Sequence, residues 1–170
     1  MMQKKVCMVG VFGTGKTSLV QRYVYSQFTA KYHSTVGVKI DRKVVALGDS
    51  AVTLVLWDLA GRDPNEEIPA SYVSGSHGVL YVADGTRRDS IEQLDSLQSL
   101  VRGAAGDVPS VLALNKADLA DEWQLSPREV EQLSKRQPIV RTSAKTGEGV
   151  EDTFRRLAQA LLVDRTATGR

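Results

Sequence analysis

Five short apolar runs constrain the fold of this chain more than any other feature. Each is apolar on nearly consecutive positions and rich in valine and leucine: KVCMVG (5–10), AVTLVLWD (51–58), GVLYVAD (78–84), SVLALNK (110–116) and IVRTS (139–143). Such runs are typical of parallel strands that are covered on both faces of a sheet. The segment VKIDRKVVAL (38–47) alternates and is more polar, which predicts an edge strand. LGDS (47–50) predicts a tight turn that joins this strand to the next as a hairpin.

Helical patterns fill the intervals between the strands. Apolar side chains recur at helical spacing in 16–25, 91–101 and 150–161. Asp89 and Ser90 precede the second stripe and are candidate caps. SPREVEQL begins a further helix, with Ser126 as N-cap and Glu129 completing a capping box. Strand alternating with helix predicts an α/β fold with helices on both faces, in which ligands bind at the carboxyl ends of the strands.

Length and composition limit the classes of function. A chain of 170 residues, 42% hydrophobic and 25% charged, predicts one globular domain. The net charge of +2 is spread along the chain and predicts neither a nucleic-acid nor an acidic-membrane partner. Cys7 is the only cysteine and lies in an apolar run, so we expect it to be buried.

The sequence carries no targeting signal that we recognise. Its apolar runs are too short for a signal peptide or a membrane span, so we expect a soluble, cytoplasmic protein. The last residues contain no cysteine for prenylation, and Met2 stands where myristoylation requires glycine. We therefore expect no lipid anchor.

The stretch GVFGTGKTS (10–18) matches G-x-x-x-x-G-K-[ST] between a predicted strand and a predicted helix. Glycines let the backbone wrap closely, so that successive N–H groups and the helix N-terminus face phosphate oxygens. Lys16 can reach the β- and γ-phosphates, and the Thr17 hydroxyl can ligate Mg²⁺. The loop predicts a nucleoside triphosphate site but does not identify the base, because many kinases and ATPases share it.

Two later segments favour guanine. NKAD ends the fourth apolar run, and the Asp118 carboxylate can accept two N–H groups from the edge of guanine, which adenine does not offer. Asn115 would brace this loop, and the stem of Lys116 would lie along the ring. TSAK follows the fifth run, where the Ala144 N–H could bond the guanine carbonyl. These segments disfavour the alternative of an adenine nucleotide kinase built on the same phosphate loop.

GVFGTGKTS, STVGV, WDLAGRD, NKAD and TSAK occur in the order found in the Ras superfamily, and the chain resembles a small GTPase of that superfamily from about residue 4 to 163. YHSTVGVKI and SGSHGVLYVAD are most similar to the Rab branch. D-x-A-G-R in WDLAGRD also resembles Roc GTPase domains, so a stand-alone Roc-like GTPase is an alternative. The resemblance implies a single P-loop NTPase G domain over 1–170, with a flexible tail at 164–170. Its six-stranded sheet would be mostly parallel with one antiparallel edge strand, and helices would cover both faces.

The resemblance also implies the ligands and their contacts. GTP or GDP would bind with Mg²⁺. The residues that would contact the phosphates are Gly13, Thr14, Gly15, Lys16, Thr17, Ser18, Thr35 and Gly61. Base contacts fall to Phe28, Asn115, Lys116, Asp118, Ser143, Ala144 and Lys145. The metal ligands would be Thr17, Thr35 and Asp58, and the catalytic set would be Lys16, Thr35, Gly61 and Arg62.

The implied output is an order–disorder change in two loops that contact the γ-phosphate. Effector and regulatory proteins would bind switch I, from Tyr32 to Lys39, and switch II, from Arg62 to Ser76. The sequence does not identify these proteins.

Two residues depart from the family pattern. Arg62 stands where glutamine usually orients the attacking water, and a guanidinium has donors but no acceptor. Arg62 could act as an arginine finger in cis, worth about 10³–10⁵ in rate for GTPases of this kind, or it could be solvated and leave hydrolysis slow. Phe12 is bulky where the family carries a small or polar residue, and it would crowd the γ-phosphate. Both changes predict slow hydrolysis, and a GTP-loaded interaction module with negligible turnover is the alternative.

Overall fold

The computed structural model describes residues 2–29, 37–59 and 68–168. Its strands are β1 (Met2–Val9), β2 (Val38–Leu47), β3 (Ser50–Leu59), β4 (Gly78–Asp84), β5 (Ser110–Asn115) and β6 (Ile139–Arg141). They form one sheet in the order β2-β3-β1-β4-β5-β6. β2 pairs antiparallel with β3, and the other neighbouring pairs are parallel. The predicted six-stranded, mostly parallel sheet with one antiparallel edge strand is therefore confirmed.

The burial of the strands follows their sequence patterns. All seven residues of the continuous apolar strand β4 are buried, whereas the alternating strand β2 lies at the edge and exposes half of its residues. Leu47 pairs with Ser50 in the register of β2 and β3, which confirms the predicted hairpin. The alternating pattern thus marks the antiparallel edge strand β2, whereas β6, which comes from an apolar run, lies at the other edge with one of its three residues buried.

Helices cover both faces of the sheet. They are α1 (Lys16–Tyr25), α2 (Ala70–Val73), α3 (Arg88–Glu92), α4 (Leu94–Ala105), α5 (Pro127–Ser134) and α6 (Val150–Thr168), with a 3₁₀ turn at Ala120–Glu122. Successive residues of β1 contribute to opposite faces. Val6 and Met8 join a core cluster with α1 and α6, whereas Cys7 and Val9 join a second cluster with α2 and α4. The predicted burial of Cys7 is confirmed.

Between β4 and β5 the structure differs from the sequence prediction. The helix begins at Arg88, so Asp89 and Ser90 lie in its first turn and the prediction that they cap it was wrong. The buried Ser90 hydroxyl instead accepts from the N–H of Asp84 at 2.9 Å and donates to the carbonyl of Arg87 at 2.7 Å. Ser90 therefore anchors this helix to the end of β4, which a capping pattern does not reveal.

The predictions for the last two helices agree better with the structure. Glu129 N–H donates to Ser126 Oγ at 3.2 Å and Ser126 N–H donates to Glu129 Oε2 at 2.8 Å, which confirms the capping box of α5. The predicted tail at 164–170 is helical as far as Thr168. None of the helices in the described ranges is both long enough and apolar enough to cross a membrane.

Candidate functional site

The phosphate-loop sequence, 10–18, connects the end of β1 to the start of α1. Its backbone depends on glycine at 15, where φ is +98° and a Cβ atom would collide with the Asn115 side-chain amide. Thr14 is fully buried, and its hydroxyl donates to the carbonyl of Val11 at 3.0 Å. Gly13 lies at the curve of the loop, and Ser18 lies in the first turn of α1. The sequence thus folds into a tight loop that leads into a helix N-terminus.

Lys16 brings positive charge into this loop. Its side chain is buried, and Nζ donates to the carbonyls of Gly10 at 3.0 Å and Val11 at 3.3 Å. Burial lowers the pKa of Lys16 to about 8, and the nearby Asp58 carboxylate opposes this shift. No side-chain cap occupies the N-terminus of α1 within the described residues. Its first N–H groups and the Lys16 ammonium together suit an anion.

Thr17 and Asp58 form a pair of oxygen donors beside the loop. Thr17 Oγ1 donates to Asp58 Oδ2 at 2.7 Å, and Asp58 is almost fully buried at the end of β3. Asp58 Oδ1 is also buried and has no hydrogen-bond partner among the described residues. Burial raises the pKa of Asp58, against the Thr17 hydrogen bond and the charge of Lys16, which lower it.

This donor set fits Mg²⁺. Mg²⁺ prefers hard oxygen ligands, and a cation would compensate the buried Asp58 oxygen that lacks a partner. The described residues contain no group of three or more His, Cys, Asp or Glu side chains that could hold a metal.

Asn115 connects the base motif to the phosphate loop. It is 2% exposed at the end of β5, and its Nδ2 donates to the carbonyl of Thr14 at 2.9 Å. Its Oδ1 accepts from Thr142 Oγ1 at 3.1 Å, at the start of TSAK. One side chain therefore joins the three segments that the sequence singles out for phosphate and base.

Asp118 and Lys116 are held by neighbours on either side. Ser143 Oγ donates to Asp118 Oδ1 at 2.7 Å, which ties NKAD to TSAK. Lys116 has a φ of +70°, and its Nζ lies 2.9 Å from Asp84 Oδ2 at the end of β4. The Asp118 carboxylate and the Lys116 side chain are thus both oriented by contacts within the protein.

The TSAK segment, which follows β6, is held by a side chain of α1. Arg22 of α1 donates through Nε to the carbonyl of Ala144 at 2.7 Å and through Nη2 to that of Lys145 at 2.6 Å. Ala144 is buried and Lys145 is exposed. Phe28 follows α1 with 37% exposure, so it belongs to neither core cluster and is accessible for stacking.

Three residues of this edge were missed by sequence reasoning. Asp84 ends an apolar run just as Asp58 does, so the strand-end argument that singled out Asp58 could have identified it. Thr142 lies inside the quoted motif TSAK, but its contact with Asn115 could not be foreseen. No sequence pattern identifies Arg22 as a site residue, because it lies on a helix 122 residues before the carbonyl that it binds.

Some predicted site residues lie outside the described residues, namely Thr35, Gly61 and Arg62. The same holds for 32–36 of predicted switch I and 62–67 of predicted switch II. The described parts of the two switches are 37–39 and 68–76, which include the start of β2 and all of α2.

Comparison with known proteins identifies the family. The Ras family model matches residues 5–163. The chain is 32% identical over 161 residues to the Ras-related protein Rab-1 of Theileria parva, and this similarity covers 92% of the chain and 73% of that relative. With the sheet order and the phosphate loop described above, these matches identify the protein: it belongs to the Ras family, as a Rab-like small GTP-binding protein.

Proposed function

We propose that this protein is a single-domain guanine-nucleotide switch that binds GTP or GDP with Mg²⁺ and hydrolyses GTP slowly. The observation that carries the proposal is the hydrogen bond of 2.9 Å from the Asn115 amide to the Thr14 carbonyl. This bond joins the loop suited to phosphate and the loop suited to guanine into one site. A glycine-rich turn with an unrelated function would not be expected to bind a base-reading motif that lies 101 residues later in the sequence.

In this proposal the phosphates bind the backbone of 13–18 and the Lys16 ammonium. Thr17 and Asp58 hold Mg²⁺ together with Thr35. When bound, the metal would neutralise charge on the phosphates. Gly61 would contact the γ-phosphate through its N–H group. The buried Asp58 oxygen that lacks a partner supports the metal assignment.

The base is proposed to be guanine, held by Asp118 with Phe28 and the Lys116 stem on its faces and the TSAK backbone at its edge. The hydrogen bond from Ser143 to Asp118 Oδ1 supports this role, since it orients the carboxylate while each of its two oxygens keeps a lone pair for a base donor. Asp118→Asn tests the assignment. The change should shift preference from guanine towards xanthine nucleotides, because an amide presents a donor where the carboxylate accepts. An unchanged preference would refute guanine recognition by Asp118.

Slow hydrolysis rests on Arg62 and Phe12. A guanidinium cannot accept a proton from the attacking water, and the Phe12 side chain is 45% exposed at the phosphate loop rather than buried in the core. Single-turnover GTP hydrolysis should be compared for the wild type, Arg62→Gln and Phe12→Gly. Faster hydrolysis by both variants is expected. Slower hydrolysis by Arg62→Gln would identify Arg62 as a finger in cis, and a wild-type rate equal to that of glutamine-bearing relatives would overturn the proposal of slow hydrolysis.

The second candidate is a GTP-loaded interaction module with negligible turnover, favoured by the same two residues. The nucleotide that co-purifies with the protein separates the candidates when it is released by denaturation and identified by chromatography. Mostly GDP supports the switch that turns over, whereas mostly GTP supports the module. In either case effector and regulatory proteins are proposed to bind switch I (Tyr32 to Lys39) and switch II (Arg62 to Ser76).

A further inference from the structure

Arg87 reaches from the turn after β4 to the phosphate loop. Its Nη1 donates to the carbonyl of Phe12 at 2.7 Å, across 75 residues of sequence. Its Nη2 lies 2.9 Å from Asp89 Oδ2, which orients the guanidinium. A Cβ atom built on Gly13 would lie 3.1 Å from Arg87 Nη1, so the guanidinium also lies against the loop at Gly13.

The carbonyl that Arg87 binds belongs to the same peptide unit as the Gly13 N–H. A trans peptide is planar, and its C=O and N–H point in opposite directions. Holding the Phe12 oxygen on the outer side of the loop therefore directs the Gly13 N–H towards the inner side. Gly13 has a φ of +78°, and glycine permits other conformations at little cost, so this peptide depends on a contact from outside the loop.

We propose that Arg87 is a positioning residue of the phosphate loop, which holds the Phe12–Gly13 peptide with its N–H facing the phosphates and so slows nucleotide release. The inference rests on the proposed function, because it requires a guanine nucleotide in the loop. Arg87 acts through the backbone of Gly13.

The neighbouring Arg88 provides a matched control. Its Nη1 lies 2.7 Å from Glu129 Oε1, and its Nη2 donates to the carbonyl of Gln124 at 2.7 Å. These contacts lead towards α5 and away from the phosphate loop. Two adjacent residues of one type therefore differ in the element that they hold, and only Arg87 reaches the Phe12 carbonyl.

A surface ion pair alone would not give Arg87 this role. The pair of Arg87 with Asp89 is exposed at 37% and 54%, and such pairs contribute little to stability. The bond to the Phe12 carbonyl is different, because it is a charge-assisted bond to a backbone group between two distant segments.

The test is the dissociation rate of a fluorescent GDP analogue, measured by displacement with excess GDP, alongside the thermal unfolding temperature. Arg87→Ala should raise the rate about three- to tenfold, the effect of losing one partly exposed charge-assisted bond. Arg87→Lys keeps a cationic donor and should give an intermediate rate. Arg88→Ala should lower the unfolding temperature and leave the rate unchanged.

The outcomes separate the claims. If the wild type does not bind the GDP analogue, the proposed function fails. If it binds and Arg87→Ala releases nucleotide at the wild-type rate, the role of Arg87 fails while the proposed function stands. An equal increase in Arg88→Ala would also overturn it, because the effect would then be a general loosening of the turn. If Arg87→Ala does not fold, the release rate of Arg87→Lys decides whether Arg87 positions the loop. Release at the wild-type rate by Arg87→Lys, together with a lowered unfolding temperature, would count against a positioning role.

Discussion

The phosphate loop and the base loops lie at one edge of the sheet but are held in different ways. The phosphate loop, 10–18, takes its shape from backbone conformations that glycine allows and from the start of α1. The base loops, NKAD and TSAK, are held by side-chain bonds to each other, to the phosphate loop, to the end of β4 and to α1. The first arrangement is mainly local in sequence, with Arg87 as a contact from outside the loop, whereas the second depends throughout on contacts between distant elements.

This difference predicts how each region responds to substitution. A change in the phosphate loop should act through backbone strain and steric collision. A change in the base loops should act through the loss of a bond between two segments, so its effect should depend on how many bonds remain. The following substitutions test that distinction, beginning with the largest expected effect.

Gly15→Ala should abolish nucleotide binding. The new Cβ would collide with Asn115 Nδ2, and alanine is strained at a φ of +98°. We expect a loss of about 2–5 kcal/mol of unfolding free energy, from about 1–2 for the left-handed backbone and about 1–3 for the displaced Asn115 bond. Denaturant unfolding and titration with a fluorescent GDP analogue measure the two losses.

Gly48→Ala is the matched control for this change. Gly48 lies in the hairpin turn with a φ of +63°, and no heavy atom lies within 4 Å of its added Cβ. It should lose only the backbone contribution of about 1–2 kcal/mol and keep nucleotide affinity. Equal losses in the two variants would show that the collision with Asn115 does not matter.

The same difference explains how far the sequence predicts the site. The phosphate loop is predictable because its determinants lie within nine consecutive letters, GVFGTGKTS, between a strand and a helix. NKAD and TSAK are visible as motifs, but the bonds of Arg22 to 144–145 and of Asp84 to Lys116 join segments far apart in sequence. Periodicity and motif spacing carry no information on such pairs.

The fold shows a related limit. Continuous apolar runs predict the buried strands because burial on both faces requires them, and β4 was predicted with its observed bounds. The start of α3 at Arg88 was not predicted, because the Ser90 hydroxyl binds the backbone at the end of β4 instead of capping the helix. The four-residue helix α2 is too short for helical periodicity to indicate it.

Asn115→Ala should have the next largest effect, because it removes both hydrogen bonds of the Asn115 side chain. The bonds to the Thr14 carbonyl and to Thr142 Oγ1 would be lost, at about 2 kcal/mol of unfolding free energy, with a fall of about tenfold or more in affinity for the GDP analogue. Thr142→Val removes only the second bond and should cost about 1 kcal/mol. If the two variants behave alike, the tie to the phosphate loop contributes nothing.

Asp84→Asn should loosen the base loop by a smaller amount. The amide oxygen can still accept from Thr86 N–H and Thr86 Oγ1, so the change removes mainly the charge that faces Lys116 Nζ. Since the Lys116 side chain is 35% exposed, we expect about 1–2 kcal/mol rather than the larger loss of a fully buried pair. Release of the GDP analogue should accelerate modestly.

The control for Asp84→Asn is Asp95→Asn, in the first turn of α4. Asp95 pairs with Arg136 at 2.6 Å, and both side chains are more than half exposed. This variant should leave unfolding and release near wild type, because exposed pairs contribute little. A similar loss in both variants would mean that burial does not distinguish the two carboxylates.

Glu129→Gln should have the smallest effect, and one that depends on pH. Hydrogen bonds from Arg88 and from the Ser126 backbone lower the pKa of Glu129 to about 2, from an ordinary value of 4.5. Because the folded state has the lower pKa, the charged carboxylate stabilises it fully above pH 4.5, and this contribution is lost as pH falls from 4.5 towards about 2. Glutamine can retain the capping box, so the variant isolates the charge that faces Arg88.

Thermal unfolding of the wild type and Glu129→Gln, followed from neutral pH down to about 3, should show a small gap between their unfolding temperatures. This gap should be constant near neutral pH and narrow only in the acid range. A gap that stays constant throughout would mean that the difference in stability does not come from the charge of the carboxylate.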